Sequence, residues 1–463
     1  MKNYTSTVVA AALAAVCFGL SSEAAAPRDY ASDAVFVLRF RDAACGLAQR
    51  KIGLDNLARA EKGGSADVKS RISTGGGFAG FFLWDTAFGA IWASRLPKGT
   101  FPAADSLDNF YRFATPEGFI NREFTSEGEP VWSDRHPNSF APPLLAWAER
   151  ELFEQGHADL ARLERVYPAL VRHHACCRRF RRADGLYFGD TLGTGMDELP
   201  RWPVGKKVED CIEGGIPFSR EMIGPSSQWM WERPWMKASL AFRQWNRQAG
   251  WIDMTAQMAF DAKNLAFLAR TLGKADEAAR FEAEQREIGE AINRLCWDEK
   301  TGFYYDLGPD GLILRRHIGA AWTLLAGIVP EDRLARVVAT LVDPGLFGRP
   351  CGIPALPKGD PDYRPETGYW CGVVWPPTTY MTIRGLRENG YEREAEDLAR
   401  RWYNAYAALW EVSGTIWENI SPEQCDHPKG SSNPDFCGWA ALAPVALPKD
   451  FGWLKERNKI KEF

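Results

Sequence analysis

The apolar positions of the chain recur mostly at helical spacing. Asp33 to Arg50 is spaced for a first helix, and Phe81 to Arg95 places Trp84, Phe88, Ile91, Trp92 and Arg95 on one helical face. Further helices are predicted over 144–153 and 160–179. The period returns with Met258, Asp261, Leu265, Leu268 and Leu272, continues through Phe281, Ile288, Ile292 and Leu295, and forms another stripe at Leu334, Val337, Val338 and Leu341. Its clearest run is Ala395, Leu398, Trp402, Ala405 and Leu409, and a last helix is expected from about Gly438. Strand alternation is scarce, with Phe303–Tyr305 and Leu312–Leu314 as the best hairpin candidates.

These segments make roughly a dozen helices, mostly in consecutive pairs. Glycine, proline and tryptophan gather in long loops, notably 115–143 and 202–224, and Asp184-Gly185-Leu186-Tyr187 reads as a tight turn. Pairs recurring at roughly 40 to 60 residues without a tidy sequence repeat suggest a helical array. An open solenoid would string the loop aromatics along a surface. A closed all-α (α/α)6 toroid of six helix pairs would gather the loops of one end around one cavity. The closed form is the expected fold, because it lets carboxylates more than two hundred residues apart meet.

The ends and the charge narrow the class. Lys2, the apolar run Val8 to Leu20 and the small residues Ser21 to Ala26 have the three parts of a secretory signal peptide, and the run is too short to span a bilayer. The expected organisation is therefore a signal peptide over 1–26 and a single catalytic domain over 27–463, exported to the periplasm or beyond. No later segment carries about 18 uninterrupted apolar residues, so membrane insertion is not expected. A net charge of −4 with dispersed basic residues argues against a nucleic-acid partner. Ten cysteines on so long a chain do not resemble a disulfide scaffold. Cys176 and Cys177 read as packed thiols on a helix, and Cys425 and Cys437 flank a Pro/Gly/Ser loop across which they can pair.

Nineteen tryptophans change the picture further, because many stand in Gly/Pro-rich segments: Trp84, Trp132, Trp202, Trp370, Trp375, Trp417 and Trp439. Flat apolar rings complement the C–H faces of pyranosides, so these loops point to carbohydrate. The candidate chemistry lies in Thr191 to Arg201, where Gly193 and Gly195 permit a tight turn and close approach, and Asp197 can be aimed into a cavity. Met196, Leu199 and Trp202 would give that carboxyl apolar surroundings, and Glu198 either assists or faces solvent. A second carboxylate, Glu418, stands in Gly414-Thr415-Ile416-Trp417-Glu418-Asn419. The plainer alternatives are a turn aspartate bonding local N–H groups and a surface glutamate.

Other motifs are set aside. Gly75-x-Gly77-x-x-Gly80 has the form of a dinucleotide fingerprint, but no strand precedes it and no βαβ unit surrounds it. His173 and His174 are helical neighbours that cannot share a face, and neither a His-Glu-x-x-His nor a P-loop occurs, so no metal and no cofactor are expected. The sequon Asn419-Ile420-Ser421 beside Glu418 is expected to be unmodified.

Several blocks resemble the glycoside hydrolases of family 63, which share a clan with the trehalases of family 37. They are Phe82-Leu83-Trp84-Asp85-Thr86-Ala87-Phe88, Gly195-Met196-Asp197 with Pro200-Arg201, Ile252 to Met258, Val374-Trp375-Pro376-Pro377-Thr378, Trp417-Glu418-Asn419 and Phe436-Cys437-Gly438-Trp439. The resemblance implies an (α/α)6 toroid and hydrolysis of α-glycosidic bonds with inversion. It implies Asp197 as general acid, Glu418 as general base, and Trp84 and Asp85 as a substrate-holding block. Arg122, Trp370, Trp375 and Trp417 are further candidates for the substrate pocket, Arg122 alternatively forming a surface ion pair. The chain departs from the family where Ala141 replaces a common Gln, Cys371 a frequent Arg and Thr379 a frequent Asn, and where Gly193-Thr194 and Glu198 flank the acid block. The expected function is an exported inverting α-glycosidase, an α-glucosidase acting on small oligosaccharides. A non-catalytic carbohydrate-binding relative with altered subsites and a trehalase-type hydrolase remain alternatives. A toroidal lyase is disfavoured by six histidines without a cluster.

Overall fold

Helices form where the apolar spacing predicts them, and two kinds can be told apart by burial. The computed structural model describes residues 28–61, 67–133, 140–189, 193–197, 199–206, 220–225, 227–228, 249–427 and 432–454; the expected signal peptide and Glu198 lie outside them. In chain order the main helices are α1 (Ala34–Glu61), α2 (Leu83–Ala93), α3 (Ala103–Arg112), α4 (Leu145–Glu154), α5 (Leu160–Cys177), α6 (Ile252–Thr271), α7 (Ala275–Leu295), α8 (Trp322–Ala326), α9 (Glu331–Val342), α10 (Pro376–Glu388), α11 (Glu392–Ser413) and α12 (Leu447–Asp450).

Every residue of α2 and α8 is buried, as is most of α6 and α10. A helix apolar on all sides can only sit inside a larger assembly. Neighbour contacts run from α2 to α4, α4 to α6, α6 to α8, α8 to α10, α10 to the π-helical turn Leu442–Ala446, and from that turn back to α2. Helices with one polar face lie against this circuit: α3 against α2, α5 and α7 against α6, α11 against α10, and α1 against the 442–446 turn. The face assigned to 81–95 is thus too narrow a reading, since α2 has no solvent side. The last helix also starts later than Gly438, as the π-helical turn leading into α12.

Local chemistry fixes several boundaries. Asp159 caps α5, its carboxylate accepting from the Arg162 N–H at 2.9 Å. Pro376 and Pro377 open α10, where a missing N–H costs no helical bond. The two expected hairpin segments are strands of separate two-stranded sheets rather than partners. Phe303–Tyr304 pairs with Trp297–Asp298, and Gly311–Ile313 pairs with Asp306–Gly308.

Three tertiary links position the loops. Phe81–Phe82 pairs antiparallel with Glu123–Phe124, tying the 115–133 loop to the start of α2. Val374 exchanges backbone bonds with Ile420 at 3.0 and 3.2 Å, which brings the segment after α11 against the start of α10. A disulfide joins Cys351 to Cys425 across 74 residues. The Cys425–Cys437 pair that the sequence allows does not form: Cys437 is buried as a free thiol near Ser73, whereas the 349–352 turn lies on the 421–425 segment, where the Cys351 N–H donates to Pro422. The glycines at 75–80 form no nucleotide loop; Gly75 hugs the 435–437 backbone, where an added Cβ would lie 2.5 Å from the Asp435 carbonyl.

Candidate active site

The loops converge on one cavity of about 760 Å³, lined by Trp84, Asp85, Arg122, Trp370, Asp197 and Glu418 together with Glu123, Trp132, Tyr369, Phe436 and Trp439. Asp197 and Glu418 thus face the same space although 221 positions separate them in the chain.

The Asp197 loop is built on a glycine and an arginine. Gly195 has φ +76°, and a Cβ there would stand 2.9 Å from the Trp84 ring, so only glycine lets this backbone lie on the indole. Met196 and Leu199 are buried beside Asp197. Arg201 then anchors the loop. Its fully buried guanidinium reaches Asp253 on α6, donates to Asp306 Oδ2 at 3.2 Å, and lies 4.2 Å above the Trp251 ring. Burial works against ionisation of Asp306, but His317 and Arg201 outweigh it and hold its carboxyl at about 2.

The Glu418 segment is held differently. Glu418 is buried, and Asn433 Nδ2 donates to its Oε2 at 2.7 Å. Its backbone N–H donates to Asn433 at 2.9 Å and its carbonyl accepts from Trp439 Nε1 at 2.9 Å. Sequence reading passes over Asn433, which stands fifteen residues beyond its partner. Trp439 carries a signal, as a loop tryptophan inside a family-like block.

Asp85 occupies the first turn of α2 and lines the same cavity as these two carboxyls. Burial raises its pKa well above the ordinary carboxylate range, and the charges of Glu418 and then Asp197 push the same way. Its neutral form is thereby favoured. Arg122 stacks over the Trp132 ring at 4.3 Å and lies 3.9 Å from Glu123, whose Oε2 accepts from Trp132 Nε1 at 2.7 Å.

Trp375 and Trp417 do not line the cavity, which corrects their expected place in its wall. Trp375 is a fully buried backing ring, stacked on Trp370 at 4.2 Å with 4° between the planes. Trp417 turns toward α11, where its Nε1 donates to Ser413 Oγ at 3.0 Å. Of the departures at 141, 371 and 379, Ala141 lines the cavity, and the Thr379 hydroxyl is used inside α10, donating to the Trp375 carbonyl at 2.8 Å.

No helix among the described residues is long and apolar enough to cross a membrane, and no group of three metal-ligating side chains occurs among them.

Residues 80–437 match the mannosylglycerate hydrolase MGH1-like glycoside hydrolase domain. A "Probable mannosyl-oligosaccharide glucosidase" of Schizosaccharomyces pombe is 21% identical over 357 residues, 73% of this chain and 40% of that protein. A mannosylglycerate hydrolase of Rubrobacter radiotolerans is 36% identical over 143 residues, 29% of this chain and 31% of that one. The chain thus spans well under half the length of these two relatives. The crystal structure of a family 63 mannosylglycerate hydrolase from Thermus thermophilus in complex with glucose superposes with a TM-score of 0.65 at 19% identity, covering 88% of this chain and 99% of that one. The mostly helical architecture is therefore that of the family 63 enzymes, and on the match of residues 80–437 this chain belongs to the MGH1-like domain family of family 63 glycoside hydrolases.

Proposed function

We propose that this protein is an exported inverting α-glycoside hydrolase, an α-glucosidase acting on small oligosaccharides, with Asp197 as general acid and Glu418 as general base. The observation that carries the reading is the convergence of these two carboxyls on one tryptophan-lined cavity, where both act on Asp85. In an inverting enzyme the two groups stand roughly 6.5–9.5 Å apart, which leaves room for a water. Protonated Asp197 gives its proton to the glycosidic oxygen as the bond from the anomeric carbon breaks. Glu418 takes a proton from the water that attacks that carbon from the opposite face. The leaving group departs with the Asp197 proton, the new anomeric hydroxyl keeps one proton of the water, and Glu418 holds the other until exchange with solvent resets both carboxyls; the anomeric configuration is reversed.

The remaining residues hold the sugar. Trp84 and Trp370 offer faces to its C–H surfaces, and Arg122 offers donors to its hydroxyls. Asp85 can donate to and accept from sugar hydroxyls beside the reacting centre, where its burial favours the neutral carboxyl. Asn433 keeps Glu418 aimed, since its amide restricts the carboxylate to one orientation. The closed circuit of buried elements supports an (α/α)6 toroid of six pairs over 27–463. Export is supported by the composition of residues 2–26 and by the Cys351–Cys425 disulfide, which is at home in an oxidising compartment.

Proton NMR on a panel of α-linked glucosides tests the reaction: the β-anomer should appear first. Asp197→Asn and Glu418→Gln should each lower kcat by at least about a thousandfold with an unchanged circular dichroism spectrum. Ordinary turnover by either variant, or first release of the α-anomer, would remove the assignment.

A further inference from the structure

The glycine-rich run 75–82 forms no nucleotide loop but supplies one wall of the cavity. Gly77, Phe78, Ala79, Gly80 and Phe82 all line it, and none of them brings a polar side chain. Phe81 turns the other way and stacks on Phe124 at 5.2 Å, so the alternation of the strand sends Phe82 to the cavity. Phe78 is 39% exposed, and it alone among the large apolar side chains of the described lining residues reaches water so freely. It marks the mouth of the cavity, as the buried Asp85 and Glu418 mark its inner end.

The Phe78 ring is part of a row. It meets Phe82 edge-on at 5.8 Å and Phe436 edge-on at 6.2 Å. Phe436 in turn lies 4.8 Å from Trp439, whose Nε1 donates to the Glu418 carbonyl. Rings thus lead from the carboxyl end of the cavity to its mouth. The backbone beneath them is fixed: the Phe78 N–H donates to Gly75 at 3.0 Å and the Gly76 N–H to Asp435 at 3.1 Å, while buried Arg71 donates to the Ala79 carbonyl at 2.8 Å. A Cβ on Gly76 would stand 3.0 Å from the Phe436 ring, so glycine there lets the two segments close on each other.

A pyranose carries hydroxyls around its edge, and hydroxyls taken out of water need partners. The inner end supplies such groups in Asp85, Arg122, Asp197 and Glu418. The phenylalanines supply none, and what they favour is apolar surface withdrawn from water. We propose that the row is an aglycone subsite for a flat apolar group, so that beyond small oligosaccharides the protein takes α-glucosides of aromatic alcohols. The inference rests on the hydrolase reading, which puts the sugar at the carboxyl end and its substituent along the row.

Benzyl α-glucoside, isomaltose and methyl α-glucoside test it. The first two carry a six-membered ring on the same glucose through one methylene, apolar in one and hydroxylated in the other; the third carries no ring. All are titrated calorimetrically into the Asp197→Asn protein, where leaving-group reactivity plays no part. The benzyl glycoside should bind at least about tenfold tighter than either of the others, with the more negative heat-capacity change that apolar burial brings. Phe78→Ala should cut that advantage several-fold with little change for the other two ligands, and Phe78→Leu should restore part of it. Equal affinities for the benzyl and methyl glycosides overturn the proposal. Tighter binding of isomaltose, a Phe78→Ala loss shared by all three ligands, or no binding of any of them does the same. Turnover by the unmodified protein is measured apart from binding. A benzyl glycoside bound tightly but never hydrolysed would remove the hydrolase reading and leave the subsite standing, whereas hydrolysis of isomaltose without the benzyl preference would do the reverse.

Discussion

Replacing Gly195 by alanine separates backbone strain from contact, because Gly205 provides a matched reference. Gly195 has φ +76° and Gly205 has φ +84°, so an alanine at either pays the left-handed penalty of about 1–2 kcal/mol. At Gly205 an added Cβ would meet nothing within 4 Å, whereas at Gly195 it would meet three Trp84 ring atoms between 2.9 and 3.2 Å. Trp84 has little room to retreat, with Phe88 edge-on at 5.2 Å and Trp322 at 6.0 Å. The loop must therefore lift, and it carries Asp197 two residues on. A displacement near 1 Å at a catalytic group costs on the order of a hundredfold in rate. Gly205→Ala should lose only the backbone term in a urea titration and keep its kcat/KM. Gly195→Ala should lose more stability and about a hundredfold in kcat/KM. Equal stability losses with activity intact in both variants would refute the claim that the indole seats the acid loop.

The other predictions concern what holds the two halves of the site. Cys351→Ser opens a covalent loop across 74 residues, which should destabilise the fold by about 4 kcal/mol; wild type in excess dithiothreitol should fall to the same urea midpoint, and an unmoved midpoint would refute the estimate. Arg201→Lys replaces a fork serving Asp253 and Asp306 by a point charge that cannot serve both, so it should cost about 3 kcal/mol in chemical denaturation, and a loss under 1 kcal/mol would refute that role. His174, buried with Nδ1 2.7 Å from Asp261 and Nε2 3.3 Å from Glu284, has burial opposing its charge, but the two carboxylates prevail and raise its pKa from 6.5 to about 9. Because the folded value is the higher one, this stabilisation is complete below about pH 6.5 and lost through about pH 9, roughly 3 kcal/mol at most; His174→Gln should flatten that slope, and an unchanged slope would count against the cluster.

What the sequence reveals depends on how each element meets water. The helices with one wet face, such as 275–295, 331–342 and 392–413, announce themselves by period, because their polar positions are constrained as strongly as their apolar ones. Trp322–Ala326 is buried all round and Pro376–Glu388 over all but Arg384, Arg387 and Glu388, so nearly every position is free to be apolar or locally satisfied and no such stripe forms. The same physics limits the site. Trp370 and Trp375 look alike in sequence, yet one faces the cavity and the other backs it, a choice fixed by packing against Tyr369 and Trp439. Cys425 has Cys437 as its near neighbour along the chain, but the backbone pairing around 351 and 422 selects Cys351. Asp197 and Glu418 are legible as residues in family-like blocks; their common cavity is a property of the folded loops.

The two carboxyls are secured by unrelated means, and this bears on how their spacing is set. The acid loop hangs from Arg201 and hence from α6 and the 306–308 strand. The base hangs from Asn433, from the Val374–Ile420 pairing and, further along, from the disulfide. Among the described residues the two anchors draw on different elements of the fold. The first turn of α2 touches both sides: the Trp84 ring is the surface on which Gly195 rests, and Asp85 beside it takes the field of Glu418 and Asp197 together. That turn is held in turn by the Leu83 N–H, which donates to Arg122 at 2.9 Å, and by full burial of the helix behind it. A helix buried on every side is the least deformable element available. The spacing of Asp197 and Glu418 is therefore referred to α2, and its tryptophan and aspartate act as the gauge against which the two loops are set.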